Sequence, residues 1–182
     1  MKKIFSALLL LSAISANAQD EKVERPRHKK AEEVESPAKV AYFELGGPGF
    51  ASLNYDMRFT KSEKGIGGRV GIGGFSLGEA GNRSTAIFIP IGINYMFGGN
   101  DSEGKRYFEI GGGMTVVSTK DTYDNGSGSS TDKFSTSFGH LNFGYRMQPQ
   151  DGGFFFRATL NPLFGKGFFW PIYGGVSFGY KF

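Results

Sequence analysis

The residues best suited to nucleophilic chemistry surround His140. Ser135 and Ser137 precede it by five and three residues. A serine hydroxyl beside an imidazole would supply the nucleophile and the base of an acyl transfer. In a strand, an odd offset places two side chains on opposite faces, so only a change of phase near Phe138-Gly139 would bring a serine to the histidine. The alternative is a buried histidine that is hydrogen-bonded to its neighbours.

Two short motifs match ligand-binding loops only in part. Gly65-x-Gly67-Gly68-x-x-Gly71 has the glycines of a phosphate loop, but no helical pattern follows it. The segment from Asp121 to Asp132 has four residues of a calcium loop in place, yet Tyr123 occupies the third ligand position. The chain also contains no cysteine, which excludes disulfides and thiolate metal sites. We therefore expect no metal and no cofactor.

Titratable side chains recur inside segments that alternate between apolar and polar residues. They occupy the polar side of each alternation, where they could form buried ion pairs or line a narrow ion path. The candidates are three acids and five bases: Glu44, Asp56, Glu109, Arg58, Arg69, Arg146, Arg157 and Lys181.

The segments that carry these residues have the period of β-strands. In the last ten residues Val176, Phe178, Tyr180 and Phe182 share one face, and small or polar residues share the other. A strand that is apolar on one side and polar on the other fits lipid outside and a polar interior. The chain has 29 glycines, which would let a small barrel bend and let rings pack over bare backbone.

Eight such segments predict an all-β fold, an eight-stranded antiparallel up-and-down transmembrane barrel over residues 40–182. We expect local bulges at Pro90, which cannot donate a backbone hydrogen bond, and near Phe138-Gly139, where the alternation changes phase. The predicted strands cover residues 40–46, 51–59, 66–75, 84–97, 107–119, 134–147, 153–161 and the final ten residues.

The N-terminus predicts secretion. Lys2 and Lys3 precede an apolar run, and Ala16-Asn17-Ala18 is a small-residue cleavage site, so residues 1–18 read as a signal peptide. Residues 19–39 are highly charged and we expect them to form a disordered periplasmic segment. Removal of the signal lowers the formal charge from +4 to +2. So small a charge on a secreted chain argues against nucleic acid as a partner.

The repeated strands, the Gly46-Gly47-Pro48-Gly49 reversal and the final Gly179-Tyr180-Lys181-Phe182 resemble the small eight-stranded outer-membrane β-barrel proteins of Gram-negative bacteria. The resemblance implies an outer-membrane location with both chain ends in the periplasm. It also implies that Phe178, Tyr180 and Phe182 form the signal read by the barrel-insertion machinery. Outer-membrane lipid is then the surrounding partner, and we expect a monomer.

An eight-stranded barrel is narrow enough for side chains to fill it. The eight charged candidates would then form a salt-bridged plug in the periplasmic half, with Gly, Ser, Thr and Phe in the outer half. We expect residues 87–93, Phe143, Phe156, Val176 and Phe178 to contact acyl chains. The predicted interfacial girdles contain Tyr55, Phe59, Tyr95, Phe97, Tyr145, Phe168, Phe169 and Trp170.

These features favour a structural or surface-interaction role without catalysis. Two alternatives remain open. Some barrels of this class modify lipids with a histidine and a serine, which would involve His140, and the lumen could instead be a narrow pore.

Overall fold

The computed structural model describes residues 36–79, 82–99, 106–124 and 129–182. The predicted signal peptide, its cleavage site at Ala16 and Ala18, and residues 19–35 of the charged segment lie outside these residues. None of the described residues belongs to a helix that is long and apolar enough to cross a membrane. Ten strands occur in the described part of the chain: β1 Lys39–Gly46, β2 Ala51–Arg58, β3 Gly65–Glu79, β4 Asn82–Phe97, β5 Arg106–Asp124, β6 Ser129–Met147, β7 Gly153–Leu160, β8 Leu163–Gly165, β9 Phe168–Trp170 and β10 Gly174–Lys181.

Eight of these strands close into an antiparallel ring. Strands β1 to β7 pair in chain order, β7 pairs with β10, and β10 pairs with β1. The closing register joins Val40 to Lys181 and Gly46 to Gly175. Closure gives the backbone groups of the ring internal partners, which a strand in lipid requires. The predicted eight-stranded barrel fold is confirmed.

The two ends of the barrel differ. One end, which we call the base, holds Ser36 and Phe182 and the connections that follow β2, β4 and β6. The other end, which we call the mouth, holds the connections that follow β1, β3, β5 and β7. The predicted loop at 162–170 is wrong in part, because β8 and β9 form a short hairpin at the mouth, and β8 pairs with Gly139 and His140 of β6.

Four strands continue past their neighbours at the mouth. Strand β2 pairs with β3 only as far as Gly73, and β8 pairs with β6 only at Gly139 and His140. Beyond these points β3 to β6 remain paired with one another in a four-stranded sheet, which we call the extension: residues 74–79, 82–87, 118–124 and 129–135.

The extension corrects two predicted loops. Residues 76–83 and 120–132 lie largely within paired strands. These segments are rich in Ser, Thr and charged residues on both faces, so they lack the apolar alternation by which a membrane strand is recognised. Backbone pairing does not need that alternation, and a hairpin surrounded by water keeps its ladder without it.

The two predicted bulges are absent. Strand β5 pairs with β6 in one register from Arg106↔Met147 to Asp124↔Ser129, so Phe138-Gly139 causes no shift. The ladder between β3 and β4 is interrupted opposite Ile89-Pro90 and resumes in the same register. Pro90 lacks an N–H to donate, and its local cost is the loss of ladder bonds without an inserted residue.

Burial along the strands is the reverse of that in a water-soluble barrel. Ile91 on the outer surface is 48% exposed, whereas Asp56 on the inner surface is 1% exposed. Apolar stripes face outward all round the ring, and the buried charged side chains face inward together with some apolar ones, such as Met96 and Phe155. An exterior of this kind is stable in lipid and costly in water.

Candidate functional site: the barrel interior and mouth

The barrel interior contains a chain of ion pairs. The Asp56 carboxylate lies 2.7 Å from Arg58 and 3.0 Å from Arg146. Arg146 then reaches Glu109 at 3.1 Å, and Glu109 lies 2.8 Å from Arg157. Each of these side chains comes from the inward face of its strand, and together they join β2, β5, β6 and β7 across the lumen. Sharing each carboxylate between two guanidinium groups offsets part of the cost of burial.

The chain of ion pairs continues to β1 and β3. Glu44 lies 3.1 Å from Arg157 and 3.6 Å from Arg69. Four arginines therefore face three carboxylates, which leaves one positive charge in excess. The guanidinium of Arg69 makes no hydrogen bond to the described residues, and Glu44 is the carboxylate with which it forms an ion pair. We call this group of seven residues the ionic network.

Neutral side chains complete the hydrogen bonding of the carboxylates. The Asn94 amide donates to Asp56 at 2.7 Å, and the Asn142 amide donates to Glu109 at 2.8 Å. The guanidinium of Arg146 also lies over the ring of Phe155, with Cζ 4.7 Å from the ring centroid. The two asparagines lie on the inward face of β4 and β6, but nothing in their spacing marks them as partners of a particular carboxylate.

Lys181 is separate from the ionic network. Its ammonium donates to Glu63 and to the backbone carbonyl of Gln150 at the base. Gln148 donates to the second oxygen of Glu63 at 2.6 Å. Sequence reasoning missed Glu63, because it lies in the turn after β2, where no alternation shows which way a side chain points.

Inward glycines make room for these long side chains. A Cβ placed on Gly67 would lie 2.2 Å from Cζ of Arg58, and one on Gly71 would lie 2.1 Å from the Asn54 oxygen. The guanidinium of Arg58 is held against this bare backbone by Asp56 and by the Gly65 carbonyl, 2.9 Å away. The abundance of glycine thus follows partly from the packing of arginines inside a narrow barrel.

The turn between β1 and β2 folds into the mouth. Gly47, Pro48 and Gly49 are all buried, and the Pro48 carbonyl accepts a hydrogen bond from Thr115 at 3.2 Å. Thr115 lies on β5, which is four strands from β1 in either direction round the ring. The turn therefore crosses the lumen above the ionic network. Phe50 follows it at a φ of 61°, a left-handed conformation that is unusual for a residue with a Cβ.

His140 has no serine beside it. Its ring is fully buried, and Nδ1 lies 3.5 Å from the Thr115 hydroxyl. Because the register of β6 is continuous, Ser135 and Ser137 lie on the opposite face of the strand. The Thr115 hydroxyl donates to the Pro48 carbonyl. No group of three or more metal-ligating side chains occurs among the described residues.

Aromatic rings line the mouth above the turn. They form a continuous series of ring contacts with centroids 4.7 to 6.2 Å apart. We call this group the aromatic cup: Phe50, Phe75, Phe88, Phe138, Phe168, Trp170 and Tyr173. Burial raises the pKa of the Tyr173 phenol above its ordinary value, with the charge of Glu44 adding to the effect. The phenol is therefore neutral at physiological pH and can donate a hydrogen bond.

The cup corrects the predicted girdle at two positions. Trp170 pairs with the buried Leu163, and Phe168 contacts Phe138, so both rings lie on the lumen side of the β8–β9 hairpin. Phe169 pairs with Phe164 on the outer side. At the base, exposed rings form a belt in which Phe97 and Tyr145 each lie 6.0 Å from Phe108. The other predicted girdle residues Tyr55, Phe59 and Tyr95 are also exposed.

The two faces of the extension carry opposite charges. The face that continues the lumen side carries acids and apolar residues, and the face that continues the lipid side carries bases and hydroxyls. Arg83, Lys120 and Lys133 are the bases, and Lys120 pairs directly with Lys133. On the lumen-side face, Asp121 pairs directly with Asp132, and Ser84 donates to Asp121 at 2.5 Å.

No protein-family model and no curated protein matches this chain. Among solved structures, it is similar to the N-terminal β-barrel domain of Pseudomonas aeruginosa OprF, with a TM-score of 0.52 at 12% identity over 80% of this chain and 96% of that chain. It is also similar to Ail, the attachment invasion locus protein of Yersinia pestis, with a TM-score of 0.48 at 14% identity over 83% and 100%. A structure of Ail with the heparin analogue sucrose octasulfate gives 0.44 at 14% over 80% and 97%. At 12% identity the likeness to the OprF domain shows the fold alone, that of a small outer-membrane β-barrel.

Proposed function

We propose that this protein is a monomeric outer-membrane barrel whose role is structural or in surface interaction rather than catalytic. The observation that carries the proposal is the combination of a lipid-compatible exterior with an extension that reaches beyond the barrel at the mouth. A single chain closes the ring, so the barrel needs no strand from a second copy. The wall anchors the protein, and the extension presents a surface to solvent.

We infer that the base faces the periplasm and the mouth faces the outside of the cell. The two described ends, Ser36 and Phe182, lie at the base. The N-terminal sequence predicts secretion, and a secreted chain enters the outer membrane from the periplasm. We further propose that Phe178, Tyr180 and Phe182 are recognised by the barrel-insertion machinery. All three side chains are exposed on the outer face of the last strand.

Labelling of introduced cysteines tests this orientation. The chain contains no cysteine, so Thr131→Cys in the extension and Asp151→Cys at the base each provide a single exposed thiol. With a bulky maleimide that does not cross the outer membrane, we expect Thr131→Cys to react on whole cells. We expect Asp151→Cys to react only after permeabilisation. The reverse pattern, or recovery of the protein outside the outer-membrane fraction, would contradict the proposal.

The Ser–His pair expected for the lipid-modifying alternative is not formed. A nucleophile and its base need hydrogen-bond reach, and Ser135 and Ser137 lie on the face of β6 opposite to His140. Burial beneath the β1–β2 turn also keeps its ring away from the lipid surface. We expect His140→Ala to leave the mass spectrum of lipid A unchanged. A lost or shifted lipid species in the variant would restore the enzymatic hypothesis.

A further inference from the structure

The lumen-side face of the extension has exposed apolar residues beside its acids. Leu77 is 65% exposed and Phe134 is 64% exposed, and both point to the same side as Asp121 and Asp132. Leu77 and Ser84 are paired in the row that holds the two aspartates, and Phe134 lies two residues from Asp132. Large apolar side chains on a surface that faces water are a common mark of a binding site.

The aspartate pair leaves negative charge uncompensated. Directly opposed like charges destabilise a pair of strands, and Ser84 donates to only one of the two carboxylates. No Lys or Arg lies on this face of the extension among the described residues, because Arg83, Lys120 and Lys133 all project from the other face. A positive group between Asp121 and Asp132 would relieve the repulsion.

The same face runs down into the aromatic cup. Phe75 lies in the row of Ala86, one row below the aspartates, and its ring contacts Phe50 and Phe88. Beyond Phe50 the ring contacts continue through Tyr173 to Trp170. Aromatic faces attract both apolar groups and cations. Along the strands, this surface therefore passes from the carboxylates to the rings of the cup.

We propose that the lumen-side face of the extension and the aromatic cup bind a basic, apolar-rich peptide segment in an extended conformation. Its lysine or arginine side chains meet Asp121 and Asp132, and its apolar side chains meet Phe134, Leu77 and the rings of the cup. The spacing suits an extended chain, because side chains on one face of a strand recur every two residues, about 7 Å apart. The proposal deepens the proposed surface role. It rests on that role, which places the extension in the solution outside the cell.

The test uses the full protein in zwitterionic nanodiscs. The probe is the capped heptapeptide Lys-Ser-Lys-Ser-Leu-Ser-Leu, which places its lysines and leucines on one face of an extended chain, and empty nanodiscs give the background. Trp170 is the chain's one tryptophan and lies in the cup, so its emission reports occupancy. We expect a saturable blue shift that weakens with salt. Anisotropy of a dye-labelled probe provides a second readout.

Two double variants on the same strands distinguish the loss of binding charge from the loss of folding. Asp121→Asn with Asp132→Asn should weaken the Kd at least about fivefold, because it removes both carboxylates that the peptide meets. Lys120→Gln with Lys133→Gln, one residue away on the opposite face, should change it less than about twofold. Both variants should retain the heat-modifiable mobility of a folded barrel, since each removes a repulsive pair.

Several results would overturn the proposal. These are the absence of saturable binding, equal binding by the same peptide with glutamate in place of lysine, an unchanged Kd in the aspartate double variant, and an equal loss in the lysine double variant. The proposed surface role fails by a different result, the reverse labelling of Thr131→Cys and Asp151→Cys. A peptide site can therefore be rejected while the surface role stands.

Discussion

Glu109 is the residue on which the ionic network most depends. Its two oxygens accept hydrogen bonds from Arg146, Arg157 and Asn142. Removal of one partner of a buried ion pair costs more than the pair contributes, because the remaining charge stays in the low-dielectric interior. Without Glu109, the buried charges of Arg146 and Arg157 would remain. The network therefore acts as a single unit, and the loss of one central carboxylate affects several strands.

Replacement of Glu109 by glutamine tests this dependence at nearly constant volume. We expect Glu109→Gln to lower the free energy of unfolding by about 3 to 5 kcal/mol, since it leaves Arg146 and Arg157 with less compensation. The measurement is urea-dependent unfolding from lipid vesicles. The matched control is Glu79→Gln, the same substitution at an exposed position, which should cost less than about 0.5 kcal/mol. Equal losses in the two variants would show that the network is not a source of stability.

At the scale of elements, the last strand combines two roles that its sequence cannot separate. Tyr180 faces outward and pairs directly with Phe154 of β7, and both rings are similarly exposed. If these aromatics only contact lipid, the two positions are equivalent. If β10 also carries the insertion signal, Tyr180 matters for assembly in the cell and Phe154 does not.

This comparison gives a prediction for biogenesis. We expect Tyr180→Ala to lower the amount of folded barrel in the outer membrane several-fold and Phe154→Ala to leave it close to that of the unchanged protein. In purified lipid vesicles, without the insertion machinery, the two variants should fold to a similar extent. The measurement is the heat-modifiable fraction on a gel. Equal loss in cells would leave only the lipid-contact role for Tyr180.

The hairpin of β5 and β6 shows how one pair of strands serves two environments. From Arg106 to about Val117 the strand β5 lines the barrel, and beyond Ser118 it belongs to the extension. The register does not change between the two parts. What changes is the pattern of side chains, from apolar residues on the outer face to Lys120 and Thr122. The wall thus positions the extension without a flexible joint.

At the scale of the whole molecule, the lumen is crossed twice. The ion pair of Asp56 with Arg146 joins strands on opposite sides of the ring, and the turn at 47–49 reaches Thr115 above it. An eight-stranded barrel encloses little more space than its own side chains occupy. A hydrated ion would have to pass both layers.

We therefore expect no stable conductance steps from the protein in planar bilayers at molar KCl. The ion path through the lumen should be blocked in both polarities, because neither layer depends on the applied voltage for its contacts. A known general porin in the same bilayers shows that the assay detects channels. Reproducible steps from heat-modifiable, folded protein would contradict the prediction and restore the narrow-pore alternative.

The sequence by itself determined the class of fold and the direction in which most side chains face. Alternation is a local property, and two residues that share a face do so wherever the strand goes, so Asp56 and Arg157 could be assigned to the interior and Ile91 to the exterior. The number of strands in the ring followed from the same pattern, and its closure followed from the need of backbone groups in lipid for internal partners.

The tertiary structure alone decided which groups meet. Pairing of Arg157 with both Glu44 and Glu109 depends on the stagger of strands that are far apart in sequence, and Glu63 reaches Lys181 from a turn without periodicity. The length of the extension, the inward fold of Gly47 to Gly49 and the direction of Trp170 were likewise hidden. In each case the physical reason is that polar or turn segments carry no alternation, so their positions are set by long-range contacts.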